Sequence, residues 1–533
     1  MPEKKEAKAA MPAVVYAEAS VRSVGGVSLF ETPRLVTSET VPNFYSESQS
    51  VQSAVERLRA EGFQVLHVGD TTITIGAPAE LYERVFKTRI VTEERPVIKE
   101  FGRETTATFL ECPDTEMLGL IDVAKSPLAG LLEGIALNEA VYYFQLGAAA
   151  AVPAPAPVPM VVPAPSPFPP TKAYWHLEVP AEVSLGLNAD RARRAGFTGR
   201  GVKVVMVDSG WYRHPYFVQR GYNAGPVVLG PAAANPDHDE HGHGTGESAN
   251  IFAIAPDVNF TMVKLNFVNS IGGFNAAVAL RPDVISCSWG SSIRTGPLSA
   301  ANQALAAAVA NAVRLGIVVV FSAGNGHFGF PGQHPDVISA GGVYMRPDGS
   351  FEATPYASGF PSLVYPGRNV PDVCGLVGLP PRAQYIMLPV EPGDTLDTSL
   401  AGGTYPNGDE TANNDGWAAF SGTSAAAPQI AGTVALMKQA CRTLTPAALR
   451  AILKSTARDV TAGNCSPATG GYPATPGPDL ATGNGLTDAA KATAIARLRC
   501  LLRPPRPPIA AEEGYATEAE TKALEELFLD LWD

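Results

Sequence analysis

The sequence predicts an α/β protein, with a doubly wound, mostly parallel sheet in its larger part and a small α+β unit before it. Continuous runs rich in valine and isoleucine recur after residue 200, as in GVKVVMV and GIVVVF, and such runs are typical of parallel strands covered on both faces. The segment AANQALAAAVANAVRLG lies between two of them and has the spacing of a long helix closed by Gly316. This alternation of strand and helix predicts the doubly wound sheet. A Pro/Ala-rich tract separates it from the preceding residues.

The N-terminal unit is predicted to span residues 1–145. VVYAEAS has the pattern of a strand and SVQSAVERLRAEGF that of a helix ending near Gly62. FQVLHVGDTTITIG predicts two strands about a Gly-Asp turn, and APAELYERVFK predicts a second helix. This β-α-β-β-α order is typical of a small ferredoxin-like sandwich.

Three further regions follow. Residues 146–171 are a Pro/Ala-rich linker, whose composition favours extended polyproline geometry. Residues 172–500 carry the strand–helix alternation and form the larger domain. Residues 501–533 read as an acidic C-terminal tail, with a proline hinge followed by a helix.

Bulk composition excludes several function classes. A formal net charge of −12 over 533 residues argues against a nucleic-acid-binding surface. The longest apolar stretch is interrupted by proline throughout, so no membrane span is predicted. No secretory signal precedes the first unit, so we expect a cytoplasmic protein, with non-classical secretion as the alternative. No feature indicates an organic cofactor.

The six cysteines are widely spaced and form no C-x-x-C pair, which excludes zinc knuckles and thioredoxin-like motifs. We expect mostly free thiols. Cys441 and Cys465 could pair if the protein is exported.

Three polar residues occupy the places where strands end and helices begin, which is where open α/β sheets gather functional groups. Asp208 ends an apolar strand, His243 precedes a helical segment, and Ser424 lies in a Gly-Thr-Ser turn before a helix that carries Pro428. Each alone is typical of a turn or a cap. The three residues together indicate a functional site more strongly than any one of them does alone.

The sequence motifs around these three residues resemble those of the subtilases, the subtilisin-like serine peptidases. The matching motifs are VDSG at Asp208, GHGT at His243 and GTSAAAP at Ser424, together with a fourth, SAGNG at Asn325. The resemblance runs from about Lys172 to Ala494. It implies a subtilisin-like fold and a serine endopeptidase that acts through an acyl-enzyme. Ser424 would be the nucleophile, His243 the base and Asp208 its orienting partner, while Asn325 would bind the oxyanion.

The same resemblance implies a peptide-binding cleft. Ser288, Trp289 and Gly290 would form the strand that pairs with an extended peptide and walls the first pocket. Gly324 and Gly329 would lie on the opposite wall, with Gly329 near its floor. The alternative for Trp289 is core packing alone.

Some features resemble the sister family, the sedolisins, in the end of the N-terminal unit and in a Gly/Pro-rich loop near the C-terminus. By that resemblance a structural calcium ion would be held by Asp459 and Asp479 through side chains, and by Val460, Thr475 and Gly477 through carbonyls. The alternative is a loop that holds no ion. Sedolisins use a glutamate base, whereas this chain has His243, so we expect the subtilase chemistry and an optimum at neutral to alkaline pH.

Expected partners are protein or peptide substrates and the N-terminal unit itself, which would act as an inhibitory propeptide of a zymogen. Glu247, four residues after His243, could share a helix face with the base, but we expect a solvated or helix-starting residue.

Two alternatives belong to other classes. A metallohydrolase could use Asp237, His238, His241 and His243, although H-x-x-H-x-H in a glycine-broken loop is not the helical H-E-x-x-H pair. In the subtilase interpretation His238 and His241 instead belong to a polar loop that leads into the site. The other alternative is a pseudoenzyme that binds peptides without cutting them.

Overall fold

The computed structural model describes residues 10–31, 35–98, 104–143 and 164–502. Most of the predicted linker and nearly all of the predicted acidic tail lie outside the described residues. No helix within these ranges is long and apolar enough to cross a membrane.

The N-terminal unit contains the strands and helices that its sequence predicts. An antiparallel sheet has the order β2-β3-β1-β7-β6, and β4 and β5 form a separate hairpin. The bounds are β1 Val15–Val21, α1 Ser48–Glu61, β2 Gln64–Val68, β3 Ile73–Ala77, α2 Ala79–Phe86, β4 Val91–Ile98, β5 Glu104–Glu111, β6 Leu120–Ile121, β7 Leu132–Leu137 and β8 Tyr142–Tyr143, with a 3₁₀ turn at Val41–Phe44. Helices α1 and α2 contribute buried residues to the core that covers one face of this sheet.

The larger domain follows, and its strands and helices alternate as predicted. Its strands are β9 Leu177–Glu178, β10 Lys203–Asp208, β11 Val228–Leu229, β12 Asn259–Lys264, β13 Val284–Cys287, β14 Trp289–Ser292, β15 Val318–Ser322, β16 Gly329–Phe330, β17 Ile338–Met345, β18 Phe351–Ala353, β19 Phe360–Pro361, β20 Asn369–Val370, β21 Val373–Leu376, β22 Ile386–Pro389 and β23 Trp417–Ala419. Its helices are α3 Ala181–Gly186, α4 Ala189–Arg194, α5 Pro215–Gln219, α6 His243–Ile254, α7 Ser270–Ala279, α8 Ala300–Arg314, α9 Thr395–Leu400, α10 Thr423–Ala440, α11 Pro446–Thr456 and α12 Ala489–Leu502, with a 3₁₀ turn at Pro467–Thr469.

The central sheet has the order β11-β12-β10-β13-β15-β17-β18, and β21 also pairs with β17. All neighbours are parallel except β17 and β18. Side chains of β10 alternate between two cores: Val204 and Met206 pack with residues of α6 and α10, whereas Val205 and Val207 pack with residues of α7 and α8. Helices therefore cover both faces, which explains why the strands are apolar throughout.

The N-terminal unit lies against α7 and α8 of the larger domain. Tyr45 Oη donates to Asn311 Oδ1 at 2.8 Å, and the amide of Asn138 donates to Asn269 Oδ1 at 2.9 Å. The last described strand of the unit, β8, pairs with β14 of the larger domain. The unit therefore reaches the strand that the sequence assigns to peptide binding.

Cys441 and Cys465 are both buried, and no disulfide joins them in the structure. Cys465 instead packs in a small cluster with Ala353, Ala474 and Ala481.

Candidate active site

The carboxyl end of β10 brings Asp208 to the imidazole of His243. Asp208 Oδ1 accepts from His243 Nδ1 at 2.7 Å and from the Ser209 backbone amide at 2.7 Å, and the Asp208 and His243 side chains are fully buried. A carboxylate at Nδ1 holds the proton on that nitrogen, so the lone pair of the neutral ring lies on Nε2. The imidazole is thereby oriented to act as a base at Nε2.

Helix α6 begins at His243 because the loop before it is shaped by Gly242 and Asp239. Gly242 has φ 91°, and a Cβ there would lie 2.1 Å from Asp394 Oδ2, so only glycine fits. Asp239 accepts from Gly242 N at 3.0 Å, and from Thr245 N and Oγ1 at 2.8 and 2.7 Å. These bonds satisfy amides that the first turn leaves without intrahelical partners.

Ser424 lies in the first turn of α10, directly after Gly422 and Thr423. Pro428 has no N–H to donate to the carbonyl of Ser424 four residues earlier, and Ser288 Oγ donates to that carbonyl at 2.9 Å. In return, Ser424 Oγ donates to Ser288 O at 3.2 Å. Among the described residues His243 Nε2 has no hydrogen-bond partner, so transfer of the serine proton to this histidine requires the Ser424 hydroxyl to turn away from Ser288.

Asn325 is fully buried beside the start of α10. Its Oδ1 accepts from the Thr423 backbone amide at 3.1 Å and from Thr423 Oγ1 at 3.0 Å. Because the oxygen end is held by Thr423, the orientation of the carboxamide is fixed. Gly324, whose amide donates to Thr423 Oγ1 at 3.2 Å, holds the chain before Asn325 against the same residue.

The candidate peptide-binding strand β14 has partners on both edges. Ser291 and Ser292 pair with Phe330 and Gly329 of β16 on one edge, while β8 occupies the other. The side chain of Trp289 is fully buried, and its Nε1 donates to Val207 O at 2.8 Å. Trp289 therefore contributes its backbone to the groove and its indole to the core, and the role of this strand in peptide binding stays a prediction.

The occupant of the groove is a pair of tyrosines that the sequence analysis did not single out. Tyr143 lies opposite Trp289 and Tyr142 opposite Gly290, in antiparallel register. The phenol ring of Tyr143 lies 4.6 Å from the ring of His243, centroid to centroid. The aromatic sequence YYF before the linker could have drawn attention to these tyrosines, but nothing in the sequence shows which strand they pair with.

Comparison with known proteins decides the family. The sequence pattern of the subtilase family matches residues 199–485, more than half of the chain. This chain belongs to the subtilase family. It is 30% identical over 295 residues to subtilisin E from Bacillus subtilis (strain 168), an alignment that covers 51% of this chain and 64% of subtilisin E. It is also 30% identical over 273 residues to an intracellular serine protease from Paenibacillus polymyxa, with 45% of this chain and 68% of that protein covered.

A solved structure resembles the fold of this subtilase. Fervidolysin from Fervidobacterium pennivorans, described as a keratinolytic enzyme related to subtilisin, superposes with a TM-score of 0.52 at 16% identity. The match covers 92% of this chain and 62% of fervidolysin. The predicted subtilisin-like α/β fold is confirmed. At this identity the likeness concerns the fold alone.

Glu247 is where the sequence prediction for this subtilase fails most clearly. It was expected to be solvated or to start the helix, but it lies within α6 and is fully buried. Its Oε2 accepts from Asn250 Nδ2 at 2.9 Å, and its Oε1 has no hydrogen-bond partner among the described residues. Burial raises the pKa of Glu247 to about 8, although the charge of His243 acts in the opposite direction.

The pKa of the His243 imidazole is set by opposing effects. Burial lowers the pKa of the imidazole, but the charge and hydrogen bond of Asp208 raise it, with smaller contributions from Glu247 and Asp239. The pKa of His243 therefore lies above its ordinary value near 6.5. The base is neutral only on the alkaline side of that raised pKa.

The remaining histidines of the loop do not form a metal centre with His243. His238 is exposed and pairs with Glu391 at 2.6 Å, and Asp237 is exposed. Across the described ranges no three His, Cys, Asp or Glu side chains gather in a way that could hold a metal ion. His241 lies in the loop that leads into the site, and its ring stacks on that of Tyr143 with 4.2 Å between the centroids.

The Gly/Pro-rich loop places its two aspartates among backbone amides. Asp479 Oδ1 accepts from the amides of Ala481 and Thr482 at 2.8 and 2.7 Å, and Oδ2 accepts from Thr475 N at 2.7 Å. Asp459 Oδ2 accepts from Gly477 N at 3.0 Å. Val460 is buried beside them. A cation would have to compete with these amides for the carboxylate oxygens.

Proposed function

We propose that this subtilase is a serine endopeptidase in which Ser424, His243 and Asp208 act as a catalytic triad. The observation that carries the proposal is the buried 2.7 Å bond between Asp208 and His243, with Ser424 at the start of a helix that packs against the same sheet. Membership of the subtilase family supports it. The proposed substrates are proteins or peptides that bind in extended form along β14.

In the proposed reaction, Ser424 Oγ attacks the carbonyl carbon of the peptide bond while its proton passes to His243 Nε2. The electron pair of the carbonyl moves onto its oxygen, where the Asn325 amide and the Ser424 backbone N–H donate to it. His243 then gives the proton to the departing amine, and the acyl-enzyme forms. Water repeats the sequence on the ester and releases the acid.

The first experiment is labelling with a fluorophosphonate probe, which reacts covalently with an activated serine. We expect label on Ser424 in the wild-type chain and none in Ser424→Ala. An Asn223→Ala variant, altered at an exposed asparagine outside the site, serves as the control and should label fully. Absence of label in the wild type after removal of residues 1–143 would contradict the proposal.

We also propose that residues 1–145 are a ferredoxin-like prodomain that blocks the cleft of a zymogen. The strand order β2-β3-β1-β7 with two helices supports the ferredoxin-like assignment. The pairing of β8 with β14 supports the inhibitory role, because a substrate cannot add to an edge that is already occupied.

Maturation would cut the chain shortly after Tyr143, because Tyr143 pairs with Trp289 and the preceding residue Ser288 contacts Ser424. The wild type should release a fragment of about 15 kDa, in proportion to its share of the 55.8 kDa chain. Ser424→Ala should stay intact, and N-terminal sequencing of the larger product locates the cut. If both chains stay intact, the unit is a permanent domain or is removed by another protease.

A second candidate function is peptide binding without cleavage. The bond from Ser424 Oγ to Ser288 O, in place of one to His243, favours it. Fluorophosphonate labelling separates the two functions, because a silent triad leaves Ser424 unlabelled while peptides still bind.

We propose the loop of residues 459–479 as the place where calcium would bind, with the two aspartates as charged ligands. Because backbone amides donate to both carboxylates, the loop can also keep its conformation without an ion. Thermal unfolding with calcium and with a chelator tests this in the wild type and in Asp479→Asn. Equal unfolding temperatures in the wild type would contradict calcium binding.

A further inference from the structure

We propose that the cleft of this subtilase selects an aromatic side chain, tyrosine above all, at the substrate position that Tyr143 now occupies. The selecting surface, here called the aromatic subsite, consists of His241, Phe267 and the ring of His243. This inference rests on the proposed endopeptidase function and adds a substrate class to it.

The geometry of the aromatic subsite comes from three ring contacts to Tyr143. The ring centroid of Tyr143 lies 4.2 Å from that of His241, with 25° between the planes, and 4.2 Å from that of Phe267, at 56°. The ring of His243 lies 4.6 Å away at 40°. Aromatic pairs attract at such separations and prefer offset or tilted arrangements over perfect sandwiches. Tyr143 therefore fills a slot with rings on three sides.

The backbone fixes which substrate residue enters this slot. Tyr143 is paired with Trp289 of β14, and the chain of its own unit is held again by a bond from Val141 N to Phe267 O at 3.0 Å. A peptide that adds to the same edge with its cleaved bond at Ser424 adopts this register, because the main-chain bonds and the position of that bond together define it. The residue opposite Trp289 then faces His241 and Phe267 whatever the sequence of the substrate.

The charges around the slot favour a neutral ring over an ionised side chain. Burial raises the pKa of the Tyr143 phenol well above its ordinary value, and the charges of Asp208 and Asp239 act in the same direction. Those carboxylates would repel an acidic side chain in this position. Burial lowers the pKa of His241 to about 4, with the charge of His243 acting in the same direction, so the stacking partner is a neutral imidazole at working pH.

Tyrosine suits the slot better than an aliphatic residue for a geometric reason. A flat ring can contact His241, Phe267 and His243 together, whereas a branched chain fills one of the gaps between them. The Ser209 hydroxyl lies near enough to the phenol to lower its pKa by hydrogen bonding, against the effect of burial, so a phenol has a polar neighbour here that phenylalanine would not use. These contacts predict the order tyrosine, phenylalanine, leucine, alanine and aspartate.

The first test compares cleavage of quenched fluorescent peptides by the processed enzyme. The peptides carry one of those five residues at the position that corresponds to Tyr143 and are otherwise identical. We expect kcat/KM for the tyrosine peptide to exceed that for the alanine peptide by about tenfold or more. His241→Ala and Phe267→Ala should each reduce this ratio severalfold. His238→Ala, on the same loop but exposed and paired with Glu391, should leave the ratio unchanged.

The outcomes separate this inference from the proposed function. Labelling of Ser424 together with equal cleavage of the tyrosine and alanine peptides would overturn the aromatic subsite and leave the endopeptidase function intact. A ratio that falls equally in His238→Ala would also overturn it.

A binding measurement keeps the inference testable without turnover. In the full chain carrying Ser424→Ala and Tyr143→Ala, loss of the ring contacts weakens the hold of β8 on β14, so that an added peptide can displace β8, and the serine cannot react. The tyrosine peptide should bind this chain severalfold more tightly than the alanine peptide in fluorescence anisotropy. Equal affinities would refute the subsite whether or not the wild type cuts peptides.

Discussion

Helices α6 and α10 both begin at the candidate site and are both buried, yet the groups at their first turns differ. The start of α6 is surrounded by carboxylates, among them Asp208, Asp239 and, within the helix, Glu247. The start of α10 is surrounded by neutral amide and hydroxyl groups from Asn325, Thr423 and Ser288. Negative charge raises the proton affinity of a histidine, whereas neutral dipoles can be oriented without changing it.

This difference separates two tasks. The first turn of α6 sets where the proton resides, because every charge near His243 acts on its pKa. The first turn of α10 sets where the nucleophile and the oxyanion donors point, because Ser288 and Thr423 hold Ser424 and Asn325 by hydrogen bonds. Substitutions at the two helices should therefore have different signatures.

The largest effect is expected at the base itself. His243→Ala should lower kcat by about 10⁴-fold or more, since a triad acts as a unit and loses nearly all its advantage when one member is removed. Steady-state kinetics on a peptide substrate measures this, with His238→Ala as the matched histidine control. A loss below tenfold in His243→Ala would mean that the α6 end does not supply the base.

At α10, Asn325→Ala should lower kcat by about 10²–10³-fold with little change in KM, because the amide acts on charge that develops only in the transition state. The pH dependence of kcat should stay as in the wild type. A shifted pH profile in this variant would contradict the view that only the start of α6 sets the pKa of the base. Asn223→Ala is the control for asparagine removal.

Glu247→Gln should change stability rather than orientation. The pKa of Glu247 is about 8 in the folded chain against an ordinary value near 4.5. As pH rises through this window the unfolded chain loses the proton while the folded chain keeps it, so the wild type loses stability. The variant lacks this loss, so its stability relative to the wild type should be greater at pH 8 than at pH 5 by on the order of 3 kcal/mol. Urea unfolding at pH 5 and pH 8 checks it, and an equal difference at both pH values would contradict it.

The smallest effect concerns the acid limb of the activity profile. Because the pKa of His243 is raised, activity should fall as pH drops through that pKa and His243 gains a proton. Because the folded chain keeps the proton of Glu247 below about pH 8, Glu247→Gln should leave the acid limb close to that of the wild type. An optimum of the wild type near pH 4 would refute His243 as the base.

Much of this molecule follows from the order of residue types. The apolar runs of β10, β12, β13, β15 and β17 and the helical spacing of α1, α2 and α8 gave their positions within a few residues. Strand and helix periodicities are local properties, so the sequence is sufficient for them. The motif residues Asp208, His243, Asn325 and Ser424 were likewise identified from their flanking words.

The errors concern side chains whose neighbours come from distant parts of the chain. Glu247 was expected to be solvated or to start the helix, but it is fully buried in α6, which packs against α10. The sequence could not show that Trp289 pairs through its backbone while its indole is buried, because the indole is held by Val207, which is distant in the chain. The sequence also could not show that the ring of Tyr143, about a hundred residues earlier, stacks on His241.

The sequence by itself determined the family, the α/β fold and the four residues proposed for catalysis, because periodicity and short motifs are written in neighbouring residues. Only the tertiary structure decided the state of the site: that β8 occupies the edge of β14, that a buried carboxyl lies one turn from His243, and that rings surround Tyr143. The reason is physical, since burial and pairing depend on contacts between segments far apart in the chain.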